Sequence, residues 1–301
     1  MKIYQFIESY FWVFLIAGLV LGLVYPLYSD FFMSLLKPLL MIMLFLEFLK
    51  TDLIQILKQI KDYKLMTFLV CMYMVIIPVI FFLAINLFNR ELAVGILLLI
   101  AMPAGVPSPT LTDIVKGNIA LSLSITIITS MIAPFTVPVL FWFINYDNFS
   151  INTLEIFKDL AILVFLPLIL SQIIKKIVPE KINKGKHIFT SVNILILFFI
   201  VFATMGSQCD VILRNSVDIL WQIGFLYLIF ILLHVIGYLI GYRHNKENKM
   251  AITIGATYMN NGMAIVLAAT HFGPSILILM VLSEIPWNTL LVPFRRIIQY
   301  L

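Results

Sequence analysis

Charged residues are scarce in this chain. Only 12% of its 301 residues are Asp, Glu, Lys or Arg, whereas 62% are hydrophobic. A soluble domain of this length has too little interior to bury so much apolar surface, so the composition excludes soluble folds. Cysteine is also rare. Cys71 falls inside an apolar run and Cys209 in a short connection, which excludes a disulfide framework.

Several kinds of chemical motif are missing as well. The sequence contains no metal-ligand spacing, phosphate-binding loop, haem motif or nucleophile elbow. The net charge of +5 does not indicate a nucleic-acid partner, because the basic residues lie in connections between apolar runs. An intramembrane enzyme is an alternative, but it needs a catalytic pair such as His234 with Asp113 or Glu284. No motif spacing joins those residues.

Continuous apolar runs dominate what is present. Each has about 20 residues, the length of helix that crosses a hydrocarbon core at 1.5 Å per residue. The sequence therefore predicts an all-α membrane protein with ten transmembrane helices. We number these predicted spans 1 to 10 in chain order, and they cover residues 10–28, 31–49, 65–88, 92–115, 118–145, 155–174, 188–206, 216–242, 249–272 and 274–294.

Basic residues predict how the spans are oriented, because cytoplasmic connections are enriched in Lys and Arg. Three basic residues, Arg90, Lys158 and Arg214, lie in connections on one side of the predicted spans. Sixteen lie on the other side or at the termini: Lys2, Lys50, Lys58, Lys61, Lys64, Lys116, Lys175, Lys176, Lys181, Lys184, Lys186, Arg243, Lys246, Lys249, Arg295 and Arg296. The sequence predicts a multi-pass protein of the cell (inner) membrane with both termini in the cytoplasm.

The ten spans divide into two halves of five. Because five is odd, the second half enters the membrane from the opposite side, which makes the halves an inverted repeat. The interval from Gly105 to Gly117 equals that from Asn261 to Gly273, and a proline closes the first span of each half. No linker divides the chain, so residues 1–301 are predicted to form a single transmembrane domain.

Span 4 contains a predicted break at its centre. Three prolines and a glycine fall within Pro103–Pro109, and such a segment cannot be continuous α-helix. Pro103 lies about 16 Å along the span, where unwound backbone is tolerated only if it is buried or lines a polar cavity. Ser108 followed by Pro109 predicts an N-cap that restarts the helix. The alternative is a proline kink with a packing role.

Span 9 contains a matching interruption, Asn260-Asn261-Gly262. Two adjacent amides in hydrocarbon are costly unless they meet backbone, water or a ligand. Interruptions at corresponding positions of two halves are typical of a transporter binding site. The alternative is that the asparagines only satisfy the broken backbone of span 4.

Span 5 carries a stripe of hydroxyls on one helical face. It consists of Ser122, Thr126, Thr129 and Ser130. Hydroxyls in membrane helices also serve as close-packing or interhelical contacts, which is the alternative here. Ser122 and Thr126 lie nearest the break and are the stronger candidates for binding.

Four ionisable residues are expected at or inside the membrane: Asp113, Glu47, His234 and Glu284. Asp113 follows the break and is equally consistent with a solvated role. Glu47 lies beside Lys50, which predicts an interfacial ion pair. His234 lies well inside span 8 and is interpreted as a hydrogen-bonded core histidine.

Glu284 is the candidate for a coupling charge. It lies ten residues past Pro274, about 15 Å into span 10 and near the centre of the membrane. Burial there favours its protonated form, so it could exchange a proton, or it could balance a cation bound by Ser122 and Thr126. The alternative is that it bonds the backbone freed by Pro286.

These motifs resemble the bile acid:sodium symporter family. Pro107–Ser122 is similar to the family's signature across spans 4 and 5, which contains Lys/Arg-Gly-Asp/Asn followed by Leu-Ser. Asn260–Ala264 and Thr270–Phe272 resemble its span 9 run, and His234–Tyr238 resembles its span 8 run. Pro78 in span 3 also fits, and the resemblance covers essentially the whole chain.

The resemblance implies a panel domain of spans 1, 2, 6 and 7 and a core domain of spans 3, 4, 5, 8, 9 and 10. It also implies that broken spans 4 and 9 cross, and that an organic anion is carried together with sodium. By position, Ser108, Ser122 and Thr126 match the family's sodium ligands. Asn261 matches its span 9 asparagine, and Asn260 stands where the family has glutamine.

Three positions depart from the family pattern. Pro109 replaces an asparagine, Ala256 replaces the span 9 glutamate, and Tyr73 replaces a glutamine of span 3. A sodium site without its carboxylate loses most of its charge compensation. Proton coupling, or exchange without sodium, is therefore the main alternative within transport.

The sequence thus predicts an alternating-access carrier for a small organic anion, embedded in the lipid bilayer and expected to act as a monomer. Its amides and hydroxyls suit carboxylates or sulfonates without choosing between them. A channel or a structural membrane protein is a further alternative. No cofactor is predicted apart from a sodium ion, for which Ser122 and Thr126 are the proposed ligands. The predicted substrate-binding residues are Pro107, Ser108, Pro109, Thr110, Thr112, Asn260 and Asn261, and the predicted coupling residues are Ser108, Ser122, Thr126, Asn260 and Glu284.

Overall fold

A computed structural model describes residues 6–7, 10–51, 63–144, 152–214 and 216–298. All regular elements in these ranges are helical, and the one extended pairing within them is an isolated antiparallel bridge between Ala104 and Met259. The predicted all-α fold class is confirmed.

The described helices of the first half end at residue 144. They are α1 (Phe11–Val24), α2 (Ser29–Met33), α3 (Leu36–Lys50), α4 (Tyr63–Cys71), α5 (Ile77–Asn86), α6 (Arg90–Ile100), α7 (Ser108–Ile114) and α8 (Ile119–Ile144). A 3-10 turn at Pro26–Tyr28 precedes α2, and a π-helical segment at Met72–Ile76 joins α4 to α5.

The second half contains the remaining described helices. They are α9 (Thr153–Ile177), α10 (Pro179–Ser207), α11 (Cys209–Arg214), α12 (Ser216–Ile240), α13 (Lys246–Thr257), α14 (Asn261–His271), α15 (Pro274–Leu282), α16 (Glu284–Thr289) and α17 (Leu291–Ile297). Asn152 and Asn245 begin α9 and α13 by accepting a hydrogen bond from a first-turn backbone N–H.

Six helical stretches within the described residues are long and apolar enough to cross a membrane. They are Tyr63–Asn86, Ile119–Ile144, Thr153–Ile177, Ile188–Ser207, Val217–Ile240 and Pro274–Ile297. A bent pair, Val13–Val24 with Pro26–Met33, raises the number to seven if it is one span, and its halves meet at 99°. The chain is therefore a multi-pass membrane protein.

The hydrophilic stretch Lys175–His187, which separates spans 6 and 7 in the sequence, is largely helical. Helix α9 continues to Ile177, and α10 begins at Pro179. Proline suits the first position of a helix because that position needs no N–H donor. Three basic residues used for the orientation, Lys2, Lys58 and Lys61, lie outside the described residues.

Two glycines bring α1 and α10 into close contact. A Cβ on Gly22 would lie 2.7 Å from the Phe202 carbonyl oxygen, and one on Gly206 would lie 3.1 Å from the Gly22 carbonyl oxygen. Glycine at these positions lets backbones approach more closely than any other residue would. We call this contact the glycine seam.

The interior of the molecule is formed by the helices around the two predicted breaks. Every residue of α13 from Met250 to Thr257 is buried, as is every residue of α14 from Asn261 to Ala268. Residues Ala93–Ile100 of α6 are also buried. The interrupted helices thus lie away from the lipid-facing surface.

Candidate functional site

Both predicted interruptions are present in the structure. Helix α6 ends at Ile100 and α7 begins at Ser108, while α13 ends at Thr257 and α14 begins at Asn261. We call these the first break and the second break. Non-helical backbone lies between the helices in each case, and the two breaks meet at the Ala104–Met259 bridge.

Backbone hydrogen bonds join the two breaks. The Gly105 N–H donates to the Tyr258 carbonyl at 2.7 Å, and the Asn260 N–H donates to the Pro103 carbonyl at 2.8 Å. A Cβ on Gly105 would lie 2.9 Å from the Tyr258 carbonyl oxygen and 3.0 Å from that of Met259. Only glycine allows the two strands of backbone to approach this closely.

Side chains add two further hydrogen bonds at the breaks. The Ala104 N–H donates to the Thr129 hydroxyl at 3.1 Å, and the Ser108 hydroxyl donates to the Tyr258 carbonyl at 3.1 Å. The predicted N-cap role of Ser108 is therefore wrong, since Pro107 precedes the first turn of α7 and no side chain caps it. Tyr258 belongs to the opposite break, where its carbonyl has lost its helical donor and draws the Ser108 hydroxyl across.

Asparagines organise the second break, and each leaves one polar atom free. Asn260 caps α14 by accepting from the Met263 N–H at 3.1 Å, and the Asn261 amide donates to the Ser283 hydroxyl at 3.0 Å. Nδ2 of Asn260 and Oδ1 of Asn261 are buried without a partner among the described residues. Such atoms cost about 1–3 kcal/mol each unless water or a ligand meets them.

Trp287 completes the second break, although nothing in the sequence reading singled it out. Its indole N–H donates to the Met259 carbonyl at 3.1 Å, and its ring lies edge-on to that of Tyr258 at 5.3 Å. The Tyr258 hydroxyl in turn lies 3.2 Å from Nε2 of His234. The sequence contains one sign of this role. Trp287 follows Pro286 in an apolar run, and a buried indole N–H requires a hydrogen-bond acceptor.

The hydroxyl stripe of α8 is only partly directed at the breaks. The Thr112 hydroxyl donates to that of Ser122 at 3.0 Å, so the structure brings these two predicted site residues together. The Thr126 hydroxyl donates to the Ser122 carbonyl within its own helix at 3.0 Å. Pro107 and Thr110, by contrast, are exposed.

The Lys116-Gly117-Asn118 turn anchors α7 and α8 to the start of α13. Lys116 adopts a positive φ of 56°, and a Cβ on Gly117 would lie 2.9 Å from that of Met250. The Asn118 amide donates to Oδ1 of Asn248 at 2.8 Å. This motif therefore positions the helices that flank the breaks.

Glu284 is buried next to the second break. It is 2% exposed, and its Oε2 accepts from the Asn288 amide at 3.0 Å. The residue before it is Ser283, which Asn261 contacts. The alternative stated above was a bond from Glu284 to the backbone freed by Pro286. The partner of Oε2 is instead the Asn288 side chain.

Glu47 and His234 lie in the surroundings predicted for them. Lys50 and Glu47 form an ion pair at 2.6 Å. Asp113, for which a solvated and a functional role were both expected, is exposed. His234 is 7% exposed and its Nδ1 lies 2.8 Å from the Phe230 carbonyl. Across the described residues, no group of three or more His, Cys, Asp or Glu side chains could hold a metal ion.

The far end of α14 is held by an ionic cluster. Nε2 of His271, the last residue of α14, lies 2.7 Å from Oδ2 of Asp159 on α9. Nζ of Lys37 on α3 lies 2.7 Å from the same oxygen. The cluster ties α14 to two helices that take no part in the breaks.

A model of the SBF-like CPA transporter family matches residues 9–292. The chain belongs to this family. Membership confirms the resemblance to bile acid:sodium symporters that the motifs indicated, and it makes the chain a secondary active transporter rather than an enzyme.

Two curated relatives extend this result. The uncharacterized sodium-dependent transporter YocS of Bacillus subtilis (strain 168) is 26% identical over 283 residues, covering 91% of this chain and 85% of that protein. The probable sodium/metabolite cotransporter BASS4, chloroplastic, of Arabidopsis thaliana is 25% identical over 137 residues, covering 43% of this chain and 31% of that protein. Both names describe sodium-dependent transport by those proteins.

Proposed function

We propose that this chain carries a small organic anion across the cell membrane by alternating access, coupled to a cation. The observation that carries the proposal is the pair of buried, unpartnered amide atoms of Asn260 and Asn261 where the two broken helices meet. A free donor beside the N-terminus of α14 suits an anion, because helix N-termini carry partial positive charge. A free acceptor one residue away suits a cation.

The proposed substrate site comprises the residues at and after the two breaks. Ser108, Asn260 and Asn261 are buried there, and Thr112 lies one hydrogen bond from Ser122. The exposed residues Pro107 and Thr110 and the half-buried Pro109 complete the site. This mixture of amide and hydroxyl groups suits a carboxylate or sulfonate.

The proposed architecture has ten crossings in two inverted repeats. The six continuous membrane helices become ten when α1, α3 and the two broken pairs, α6 with α7 and α13 with α14, are each counted as one crossing. Spans 1, 2, 6 and 7 form the panel and the other six form the core, within a single transporter domain that acts as a monomer.

Sodium is the proposed coupling ion, in line with what the relatives' names say of those proteins. Ser108, Ser122, Thr126 and Asn260 supply its neutral oxygen ligands. All four are buried. Proton coupling on the same fold is the second candidate, because Ala256 provides no carboxylate at the position where the family has one.

Transport by purified protein in proteoliposomes tests the function. Uptake of small carboxylates and sulfonates should require the protein and should rise when a sodium gradient is imposed. Ser108→Ala should abolish uptake, because its hydroxyl joins the two breaks. Ser124→Ala is the matched control, since that hydroxyl bonds only within its own helix. Wild-type uptake by Ser108→Ala, or no uptake of any anion by the wild type, would contradict the proposal.

Cysteine labelling tests the proposed orientation, in which both termini are cytoplasmic. Lys181 and Arg214 are both exposed and lie at opposite ends of the region from α10 to α11. A membrane-impermeant reagent applied to intact cells should label Arg214→Cys and leave Lys181→Cys unlabelled. The reverse pattern would overturn the orientation.

A further inference from the structure

The crossing lacks a carboxylate where the family pattern places one. Ala256 occupies that position and carries no charge, and its Cβ faces α12, where a Cβ on Gly237 would lie 3.0 Å away. Tyr73, at another departure from the pattern, directs its hydroxyl to the Ile252 carbonyl at 2.8 Å. Any charge that balances a bound cation must therefore come from elsewhere.

Glu284 is the one fully buried carboxylate among the described residues. Glu284 is not a member of any ion pair found among the described residues. An uncompensated carboxylate in the membrane interior is costly, so it must either be protonated or share its site with a cation. A carboxyl group in this situation changes its charge only when a cation arrives or leaves.

Two hydrogen bonds attach the Glu284 segment to the second break. One joins Asn261 to Ser283, immediately before Glu284, and the other joins Trp287 to the Met259 carbonyl one turn later. Glu284 follows Ser283 directly, so it belongs to the turn that the Asn261 side chain contacts. The segment that carries Glu284 is therefore hydrogen-bonded to the second break on both sides of this residue.

Asn261 supplies the second, independent observation. The residue is 4% exposed and its Oδ1 is buried without a partner in the described parts of the chain. A free amide oxygen beside a carboxyl group makes two oxygens available to one small cation, or an acceptor available to a protonated carboxyl. Among the described residues, neither group forms an ion pair with a basic side chain.

We propose that Glu284 is the coupling carboxylate of this transporter, and that it takes up one monovalent cation, a proton or sodium, together with Oδ1 of Asn261. The inference rests on the proposed transport function and adds to it the residue that carries the charge. Loading neutralises the carboxyl group and removes the barrier to moving it through the membrane interior. Without a bound cation, the charged Glu284 prevents the carrier from changing between its two orientations. Transport therefore depends on the cation gradient.

Other titratable groups on the helices packed against α16 have partners or are exposed. On α12, Tyr227 bonds the Thr289 hydroxyl at 2.7 Å and His234 lies 3.2 Å from the Tyr258 hydroxyl. Helix α15 carries no titratable residue, and Arg295 and Arg296 of α17 are exposed. The cation dependence of transport is thus assigned to Glu284.

The test separates exchange from gradient-driven accumulation in proteoliposomes that contain the full chain. Glu284→Gln keeps the shape of the side chain but removes its charge. It should retain exchange of labelled substrate at equal cation concentrations and lose gradient-driven accumulation by about tenfold or more. Glu47→Gln is the matched control, because that carboxylate already has Lys50 as its partner.

Separate gradients identify the cation. If accumulation by the wild type follows an imposed pH gradient, the ion is a proton, and if it follows a sodium gradient at fixed pH, the ion is sodium. Accumulation by Glu284→Gln at the wild-type level would overturn the inference and leave the proposed function standing. Absence of exchange by the wild type would instead remove the proposed function itself.

A second variant decides the matter if Glu284→Gln does not fold. Asn288→Ala keeps the carboxyl group and removes the amide that bonds its Oε2. The cation concentration that gives half-maximal uptake should shift by about threefold to tenfold, because a bond to the charged form is lost. An unchanged midpoint would overturn the assignment of Glu284.

Discussion

The two breaks at the crossing are built in different ways. The first has three prolines between Pro103 and Pro109, so its own sequence prevents a continuous helix. The second contains no proline, and its groups depend on Trp287 and Ser283 from helices later in the chain. The first break is therefore fixed locally, whereas the second can change partners. The unpartnered amide atoms of Asn260 and Asn261 belong to the second break, where a ligand could replace a protein contact.

The largest effect is expected when a methyl group is added to the first break. Gly105→Ala would place Cβ against two backbone carbonyls of the second break, neither of which can move away. We expect a loss of about 3 kcal/mol or more in stability and no transport. Gly262→Ala is the matched change in the first turn of α14, next to the second break. Its Cβ would meet the flexible ends of Leu40 and Met43 at 3.3 Å and Oδ1 of Asn260 at 3.5 Å. Its effect should stay within about 1 kcal/mol in thermal unfolding in detergent.

A smaller effect is expected from Thr129→Val, which removes the acceptor for the Ala104 N–H. A buried donor left unpaired costs about 1–3 kcal/mol, so the unfolding temperature should fall. Thr136→Val is the control, because that hydroxyl bonds only a carbonyl of its own helix. Equal unfolding temperatures for the two variants would show that the first break does not depend on Thr129.

Trp287→Phe tests the second break in the same way. The Met259 carbonyl would lose the indole donor and keep the Asn261 N–H, which lies 3.0 Å away. Because one donor remains, the expected loss of about 1 kcal/mol is smaller than for Thr129→Val. Trp221→Phe, at an exposed position of α12, serves as the control. A larger loss for Trp287→Phe than for Thr129→Val would reverse the comparison between the breaks.

The smallest effect is expected at the far end of the second broken helix. His271→Gln removes one partner of Asp159 and leaves Lys37, so the ion pair at 2.7 Å is retained. The loss of stability should be about 0.5 kcal/mol or less, as is usual for partly exposed ion pairs. Asp159→Asn removes the charge that both partners share and should lower the unfolding temperature more. If His271→Gln has the larger effect, the cluster holds α14 through the histidine alone.

The sequence predicted the breaks because both leave local signals. Proline and glycine interrupt a helix wherever they occur, and Asn260-Asn261 is conspicuous in an apolar run. The contacts that complete the crossing could not be predicted in the same way. Nothing near Trp287 or Ser283 indicates that their partners are Met259 and Asn261, because these pairs are joined only by the folded backbone.

The direction of the Ser108 side chain shows the same limit. Its sequence position favours an N-cap, but the hydroxyl reaches a carbonyl that becomes free only when the second break forms. The helices through Lys175–His187 show another limit, since the predicted spans end at residue 174 and resume at 188, whereas α9 continues to Ile177 and α10 begins at Pro179. Charged residues end a hydrophobic run without ending a helix, so hydropathy located the membrane boundary and not the helix boundary.

The glycine seam between α1 and α10 has a consequence for how the carrier moves. Backbone presses on backbone at Gly22 and Gly206, and no flexible side chain lies between to absorb a displacement. Such a contact is rigid, so we expect α1 and α10 to move together as one rigid body. The contact of Gly262 with the ends of Leu40 and Met43 is of the opposite kind. Those side chains can change rotamer when α3 and α14 move relative to each other, so this contact permits sliding.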